Sequence, residues 1–329
     1  MKRPTILAAL ATALAASFGA TAVPAQAAVS SASLENGIAT LNLNGADDNV
    51  TVSVAGGVLV HGQTTGGLAS GSDWDSVAAG NQTAPADGTI TVEVNAGDGN
   101  DAVTVLASKD QLAALKLSGA GGDDVLTGFD GSDSLHGGEG NDRLTGAKGS
   151  DDMNGDAGND TLVWNNGDGT DTIDGNAGND ATEVNGNPTL GDAFTIEPNA
   201  GRITFKRTNL VTFMLDASTE RFEVNGLGGD DSFAAGTGVG ALTQLSLDGG
   251  AGVDTLNGSD GADLILGGEG NDVLSGGSGD DRVVGDRGTD TLNGGAGDDT
   301  LVWNNGDGTD VANGDAGRDD VEVNGAPAA

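Results

Sequence analysis

An aspartate returns every ninth residue along two stretches of this chain. The first run is Asp124, Asp133, Asp142, Asp151 and Asp160, and the second is Asp254, Asp263, Asp272, Asp281, Asp290 and Asp299. Each sits at the sixth position of Gly-Gly-x-Gly-x-Asp-x-U-x, where U is a bulky aliphatic. Clean copies are Gly137-Gly138-Glu139-Gly140-Asn141-Asp142-Arg143-Leu144-Thr145 and Gly267-Gly268-Glu269-Gly270-Asn271-Asp272-Val273-Leu274-Ser275. Glycines at the first, second and fourth positions admit positive φ, so the chain can turn tightly and aim carbonyl oxygens at a common point. A carboxylate adds charge to that oxygen cage. A hard cation taking six to eight oxygens at about 2.3–2.6 Å in loose geometry fits it, which favours calcium over magnesium. Zinc is disfavoured, because the chain has no Cys and only His61 and His136.

The elements that must position these aspartates follow from the remaining positions. The eighth residue is Leu126, Leu135, Leu144, Met153 and Leu162 in the first block, and Leu256, Ile265, Leu274, Val283, Leu292 and Leu301 in the second. Three residues after each Asp are too few for a helical turn but suit a short strand with one inward aliphatic, so a nonapeptide makes half a coil. Both blocks end in Trp-Asn-Asn-Gly-Asp-Gly-Thr-Asp, at 164–171 and 303–310, then a further nonapeptide and Glu-Val-Asn-Gly at 183–186 and 322–325. These ends add Asp171, Asp180, Asp310 and Asp319 to the candidate ligands. Residues 93–128 align with 223–258 without a gap, so the chain is a tandem duplication, with a period of 130 residues before an extra nonapeptide at 294–302 and 139 after it.

The two blocks resemble the RTX, or haemolysin-type, calcium-binding repeats of exported bacterial proteins. The resemblance implies a parallel β-roll of two nonapeptides per coil, with each calcium ion between one turn and the turn two repeats later. Asp124 would then pair with Asp142, Asp133 with Asp151 and Asp254 with Asp272, and backbone carbonyls would complete each shell. Ala120, Phe129, Ala147, Asp156, Ser259 and Asp286 depart from the second-position Gly and are expected to weaken individual sites.

The expected fold is all-β: two tandem parallel β-roll (β-solenoid) units with small β-strand and hairpin caps. The expected boundaries are a signal peptide at 1–27, an N-terminal β cap with lead-in strands at 28–118 and a first roll at 119–183. An intervening β cap and lead-in at 184–248, a second roll at 249–322 and a tail at 323–329 follow. The caps rest on alternation in 34–60 and 193–224, since a repeat coil exposes an apolar end unless atypical units cover it. Asp101 and Asp231, in irregular turns at 96–104 and 226–234, are left open between ligand and plain turn. Whether the two units stack in one rod or hinge near Asn187-Pro188 is also open.

Lys2 and Arg3, the apolar run from Ile6 and the small residues Ala25-Gln26-Ala27 read as a secretory signal peptide, so export to the extracellular space is expected. No later stretch is long and apolar enough to span a membrane, and without Cys there is no disulfide or lipid-modified Cys anchor. Fifty acidic residues face thirteen basic ones, for a formal charge of −37. That argues against nucleic-acid binding and for cations as partners. With so much Gly and so few aromatics, the blocks are expected to fold only on binding metal.

Arg202, Lys206, Arg207 and Arg221 form a loose basic group, read as a solvated strand face or as partners for nearby carboxylates. Trp164 and Trp303 are read as packing over a coil end rather than as sugar platforms, and His61 and His136 as structural. No His-Glu-x-x-His, Gly-x-Ser-x-Gly, Cys nucleophile or Walker loop is present, so no catalytic residue is assigned. The expected role is a structural or adhesive component with a cell-surface or matrix partner. The rivals are a free calcium buffer or sensor, and a hydrolase using acids outside the repeats such as Glu93 or Glu223.

Overall fold

The computed structural model describes residues 31–43, 45–55, 57–63, 84–211, 213–304 and 308–324. The signal peptide and residues 325–329 of the tail lie outside the described residues. Within them the regular elements are strands, arranged in one 15-stranded and one 13-stranded sheet around a shared core.

Along the repeats the chain alternates between the sheets, and each strand pairs in parallel with the one a full coil later. In the second sheet this aligns Leu126 with Leu144 and Leu144 with Leu162. In the first it aligns Leu135 with Met153 and Met153 with Ile173. Two nonapeptides therefore close one coil, and identical positions stack into columns. The stacked aliphatics are fully buried, which stabilises by roughly 1.5–3 kcal/mol per side chain.

Val125–Thr127, Arg143–Thr145 and Thr255–Asn257 have the three residues expected, but most repeat strands are longer. Asp133–Glu139 continues through the first positions of the next repeat, and Asp133, Leu135 and Gly137 all face inward. The first-position Gly is thus a core residue. It does not have positive φ; it lacks a side chain because there is no room for one. A Cβ at Gly137 would collide with the Asp142 carboxylate and lie 2.6 Å from the Gly155 carbonyl oxygen. The left-handed conformation belongs instead to the second and fourth positions, as at Gly138 (φ 118°) and Gly140 (φ 129°).

At the N-terminal end, two antiparallel hairpins cover the coil. Ser31–Glu35 with Ile38–Asn42 edges the first sheet, and Val58–Gln63 with Asn49–Ala55 edges the second. The segment at 184–248, expected as a cap between two units, is instead spliced into a continuous solenoid. The second sheet runs in parallel from Ala181–Asn185 to Arg221–Asn225 to Gln244–Ala251. In the first sheet an antiparallel meander of Ala193–Asn199, Arg202–Arg207 and Met214–Ser218 is inserted. Its outer strands pair in parallel with Thr172–Ala177 on one side and Ser232–Ala235 on the other. Sheet continuity survives, so the chain does not break at Asn187-Pro188.

The insert carries an aromatic core unlike the aliphatic columns on either side. Phe194, Phe205, Phe213, Phe222 and Phe233 pack together, and Trp164 stacks on Phe213 with ring centroids 3.8 Å apart. Trp164 is fully buried, which agrees with packing and not with a sugar platform. Val184, which the insert follows, is 0% exposed, whereas its duplicate Val323 is 64% exposed.

Candidate metal centre

Each sixth-position Asp lies where a turn enters a strand, and parallel stacking places it beside its equivalents one coil away. The backbone N–H of Asp124 donates to Oδ1 of Asp142 at 2.8 Å, that of Asp142 to Asp160 at 2.8 Å, and that of Asp160 to Asp180 at 2.9 Å. On the opposite edge the same bond joins Asp133 to Asp151 and Asp151 to Asp171, both at 2.9 Å. In the second block it links Asp254, Asp272, Asp290 and Asp310 along one edge, and Asp263, Asp281, Asp299 and Asp319 along the other. All three pairs expected from the resemblance are brought together. The candidates are buried except Asp310 and Asp319, which are half-buried on the last, open coil.

The second carboxylate oxygen has no such partner. Oδ2 of Asp124, Asp142, Asp151, Asp160, Asp180, Asp254, Asp272, Asp281, Asp299 and Asp310 is buried without a hydrogen bond. A buried polar atom left unpaired costs about 1–3 kcal/mol, more for a charge, so a column of them demands an explanation. Burial pushes a set of the column acids up, against the pull of the accepted N–H. Asp124, Asp142, Asp160 and Asp272 rise to about 6, Asp133, Asp171 and Asp281 to about 7, and Asp151 to about 8. Asp180, Asp254, Asp263 and Asp299 are raised for the same reason. Neighbouring carboxylates add to the rise at Asp151, Asp281 and Asp299.

Two kinds of turn emerge. In one the second residue is left-handed, and Ala120 (φ 80°), Ala147 (φ 69°), Asp156 (φ 72°) and Asp286 (φ 62°) adopt that conformation as Gly does. These four departures from Gly leave the turn unchanged. Phe129 and Ser259 are different, because neither is left-handed. The N–H of Phe129 turns in and donates to Oδ2 of Asp133 at 2.7 Å, and that of Ser259 to Oδ2 of Asp263 at 2.5 Å. Both turns open a column, Asp133 standing beside the apolar Leu115 of the coil before it.

The columns also reach beyond the expected residues. Asp48 and Asp101 extend the first one upstream, the N–H of Asp48 donating to Asp101 at 2.6 Å and that of Asp101 to Asp124 at 2.7 Å. Asp192 and Asp231 precede Asp254 in the same manner, at 2.6 and 2.7 Å. Asp48 and Asp192 were missed. Gly45-Ala46-Asp47-Asp48-Asn49-Val50 does echo Gly121-Gly122-Asp123-Asp124-Val125-Leu126, so a signal existed for the first. At Asp192 a guanidinium takes the place a cation would hold: Arg207, buried, has its Nε 3.4 Å from Oδ1. Arg207 also lies over Trp164, Phe194 and Phe213. The basic group is therefore not one solvated face; Arg202 likewise binds Asp174 and Asp216.

Among the described residues, no three His, Cys, Asp or Glu side chains gather as a metal-binding cluster. The donor set is one carboxylate per turn with backbone carbonyls, such as that of Gly155 close to Asp142. That is an all-oxygen set suited to a hard cation and unsuited to zinc. The orphaned oxygens and raised acids fit a bound calcium ion, which would supply the positive charge that the columns lack.

Comparison with known families finds the RTX calcium-binding nonapeptide repeat (4 copies) at residues 116–144, 127–162, 166–181, 248–283 and 275–302. No curated protein matches the chain. The matched residues contain most of the glycine turns and open carboxylates just described, and the two blocks are RTX calcium-binding nonapeptide repeats wound into a β-solenoid.

Proposed function

We propose that this is an exported structural or adhesive protein whose solenoid is set by calcium bound along its aspartate columns. The ligands in this reading are Asp124, Asp142, Asp151, Asp160, Asp171, Asp180, Asp254, Asp272, Asp281, Asp290, Asp299, Asp310 and Asp319. Asp133 and Asp263 contribute from the side facing the next turn. The observation that carries it is the column of buried Oδ2 atoms without a partner. Ionised and unpaired, they oppose folding; with a divalent cation between successive turns they hold the coils together.

Export rests on the N-terminal charge, apolar run and small residues at 1–27, and extracellular calcium at millimolar levels would fill even weak sites. A structural role is favoured over catalysis because the acids with shifted protonation are almost all spaced by the repeat and are not gathered in one cleft. No helix among the described residues is long and apolar enough to cross a membrane. Circular dichroism of the chelator-treated protein, titrated with calcium and separately with magnesium, tests the reading. A cooperative gain of β signal with calcium and not magnesium is expected; a full β spectrum in excess chelator at neutral pH would falsify it. Calcium-dependent self-association or binding to cells separates the adhesive role from a free buffer or sensor.

A further inference from the structure

The turn at 226–231 lies upstream of the second matched block, and its sequence, Gly-Leu-Gly-Gly-Asp-Asp, breaks the repeat pattern at the second position. Its geometry does not break it. Leu227 is left-handed (φ 72°), as is Gly229 (φ 109°). The N–H of Gly229 donates to the carbonyl of Ala251 at 2.8 Å, docking this turn on 249–254. Asp231 is only 2% exposed, accepts the N–H of Asp192 through Oδ1, and leaves Oδ2 buried without a partner. A Cβ on Gly226 would meet that Oδ2 and would lie 2.5 Å from the carbonyl oxygen of Gly249, the arrangement found at Gly137 within the repeats.

We propose that turns 226–231 and 249–254 hold a calcium ion between them, making Asp231 a metal ligand outside the matched repeats. The assignment rests on the calcium reading of the repeats. Two comparisons within the chain sharpen it. The turn before, at 186–192, has a built-in substitute for a cation: the N–H of Asn187 donates to Oδ2 of Asp192 at 2.7 Å, and Arg207 stands by Oδ1. Turn 226–231 has neither, so it is the first on its edge after the inserted meander whose carboxylate must look outside the protein for charge. Its duplicate at 96–101 has Ala96 where Gly226 stands. A methyl already occupies the point that Gly226 leaves open, so at this first position the two halves of the duplication differ by one methyl group.

Native mass spectrometry of the mature, calcium-loaded chain counts the ions directly. Asp231→Asn keeps an acceptor for the Asp192 N–H, and Gly226→Ala leaves every carboxylate in place while closing the cage. Asp272→Asn, in a repeat turn, serves as the control. The expected result is at least one ion fewer than wild type for each of the three, with the β spectrum in calcium retained. Wild-type counts for both Asp231→Asn and Gly226→Ala, with a lower count for Asp272→Asn, would overturn the Asp231 site and leave the repeat sites standing. A wild-type chain that takes up no calcium would overturn both.

Discussion

Replacing Asp151 with Asn should change stability in opposite directions depending on whether calcium is present. Burial, with Asp171, Asp133 and Asp168 nearby, lifts the folded-state acid from 3.8 to about 8. A group raised in this way stabilises the fold below its unfolded value, and the contribution is lost as pH climbs toward 8. At about 1.36 kcal/mol per unit, holding the metal-free fold at pH 7.5 costs roughly 5 kcal/mol at this one site, an upper figure since neighbouring acids share it. Asn carries no such cost and still accepts the N–H of Asp133, now 2.9 Å away. In chelator at pH 7.5 the variant should need less stabilising osmolyte to reach half its β signal. At pH 5 the gain should shrink below about 2 kcal/mol, because wild-type Asp151 is then protonated when folded. In calcium the order reverses: the variant lacks a ligand, and its folding midpoint should move to at least about tenfold higher calcium, a loss of roughly 1.4 kcal/mol. Equal destabilisation with and without calcium at both pH values would refute the reasoning, since Asp151 would then act only as a neutral hydrogen-bond acceptor.

The metal-free wild type should gain β signal between pH 8 and pH 5, as Asp133, Asp171 and Asp281, raised to about 7, take up protons; calcium binding at pH 7 should correspondingly release protons, seen as buffer-dependent heats in calorimetry. Gly137→Ala should abolish the ion beside Asp142 and destabilise by about 1–3 kcal/mol through overpacking. Gly57→Ala, left-handed at φ 81° but with nothing near the added methyl, should cost only the roughly 1–2 kcal/mol of backbone strain; urea titrations in calcium compare the two. Amides of Phe194–Asn199 and Ile203–Arg207 should stay protected from exchange in chelator longer than those of the repeat strands, because the aromatic core and Arg207 supply what calcium supplies elsewhere.

The columns were legible in the sequence because a nine-residue period fixes both the stacking and the inward residue, so Leu126, Leu144 and Leu162 could only align. What the period could not convey was why each glycine is there. Composition marks Gly137 and Gly138 alike, yet one is excluded by a neighbouring carboxylate and the other turns the chain. For the same reason Ala147 and Phe129 looked like equal departures, although a left-handed residue in one preserves the open turn and an inward N–H in the other closes it. The ends of the columns were harder still. Asp192 follows a seven-residue turn and owes its place to Arg207, fifteen residues on, and such a pairing has no periodic trace. The meander read as a cap for a sound reason, since its alternation is that of a hairpin. Only pairing of its outer strands with both neighbouring coils reveals an insertion.

The duplication itself obeys the half-coil rule. Leu117 and Leu247 are duplicates, yet Leu117 lies in the first sheet and Leu247 in the second, as the intervening 130 residues carry the chain through an uneven number of half-coils. The same swap puts Asp133 and Asp263 on opposite edges. The extra nonapeptide at 294–302 adds one more half-coil and reverses it, so that Trp164 and Trp303 again share a sheet, as do the pairs Arg143–Glu183 and Arg282–Glu322. A chain in which the two edges did different work could not tolerate such swaps. Here each edge carries the same aspartate column and each sheet the same aliphatic column, so a repeat can be gained without disturbing any contact except those at the ends. That freedom is physical grounds for placing function in the number of stacked turns, and it leaves the insert, with its Arg207 and aromatic core, as the part of the molecule whose position cannot be changed.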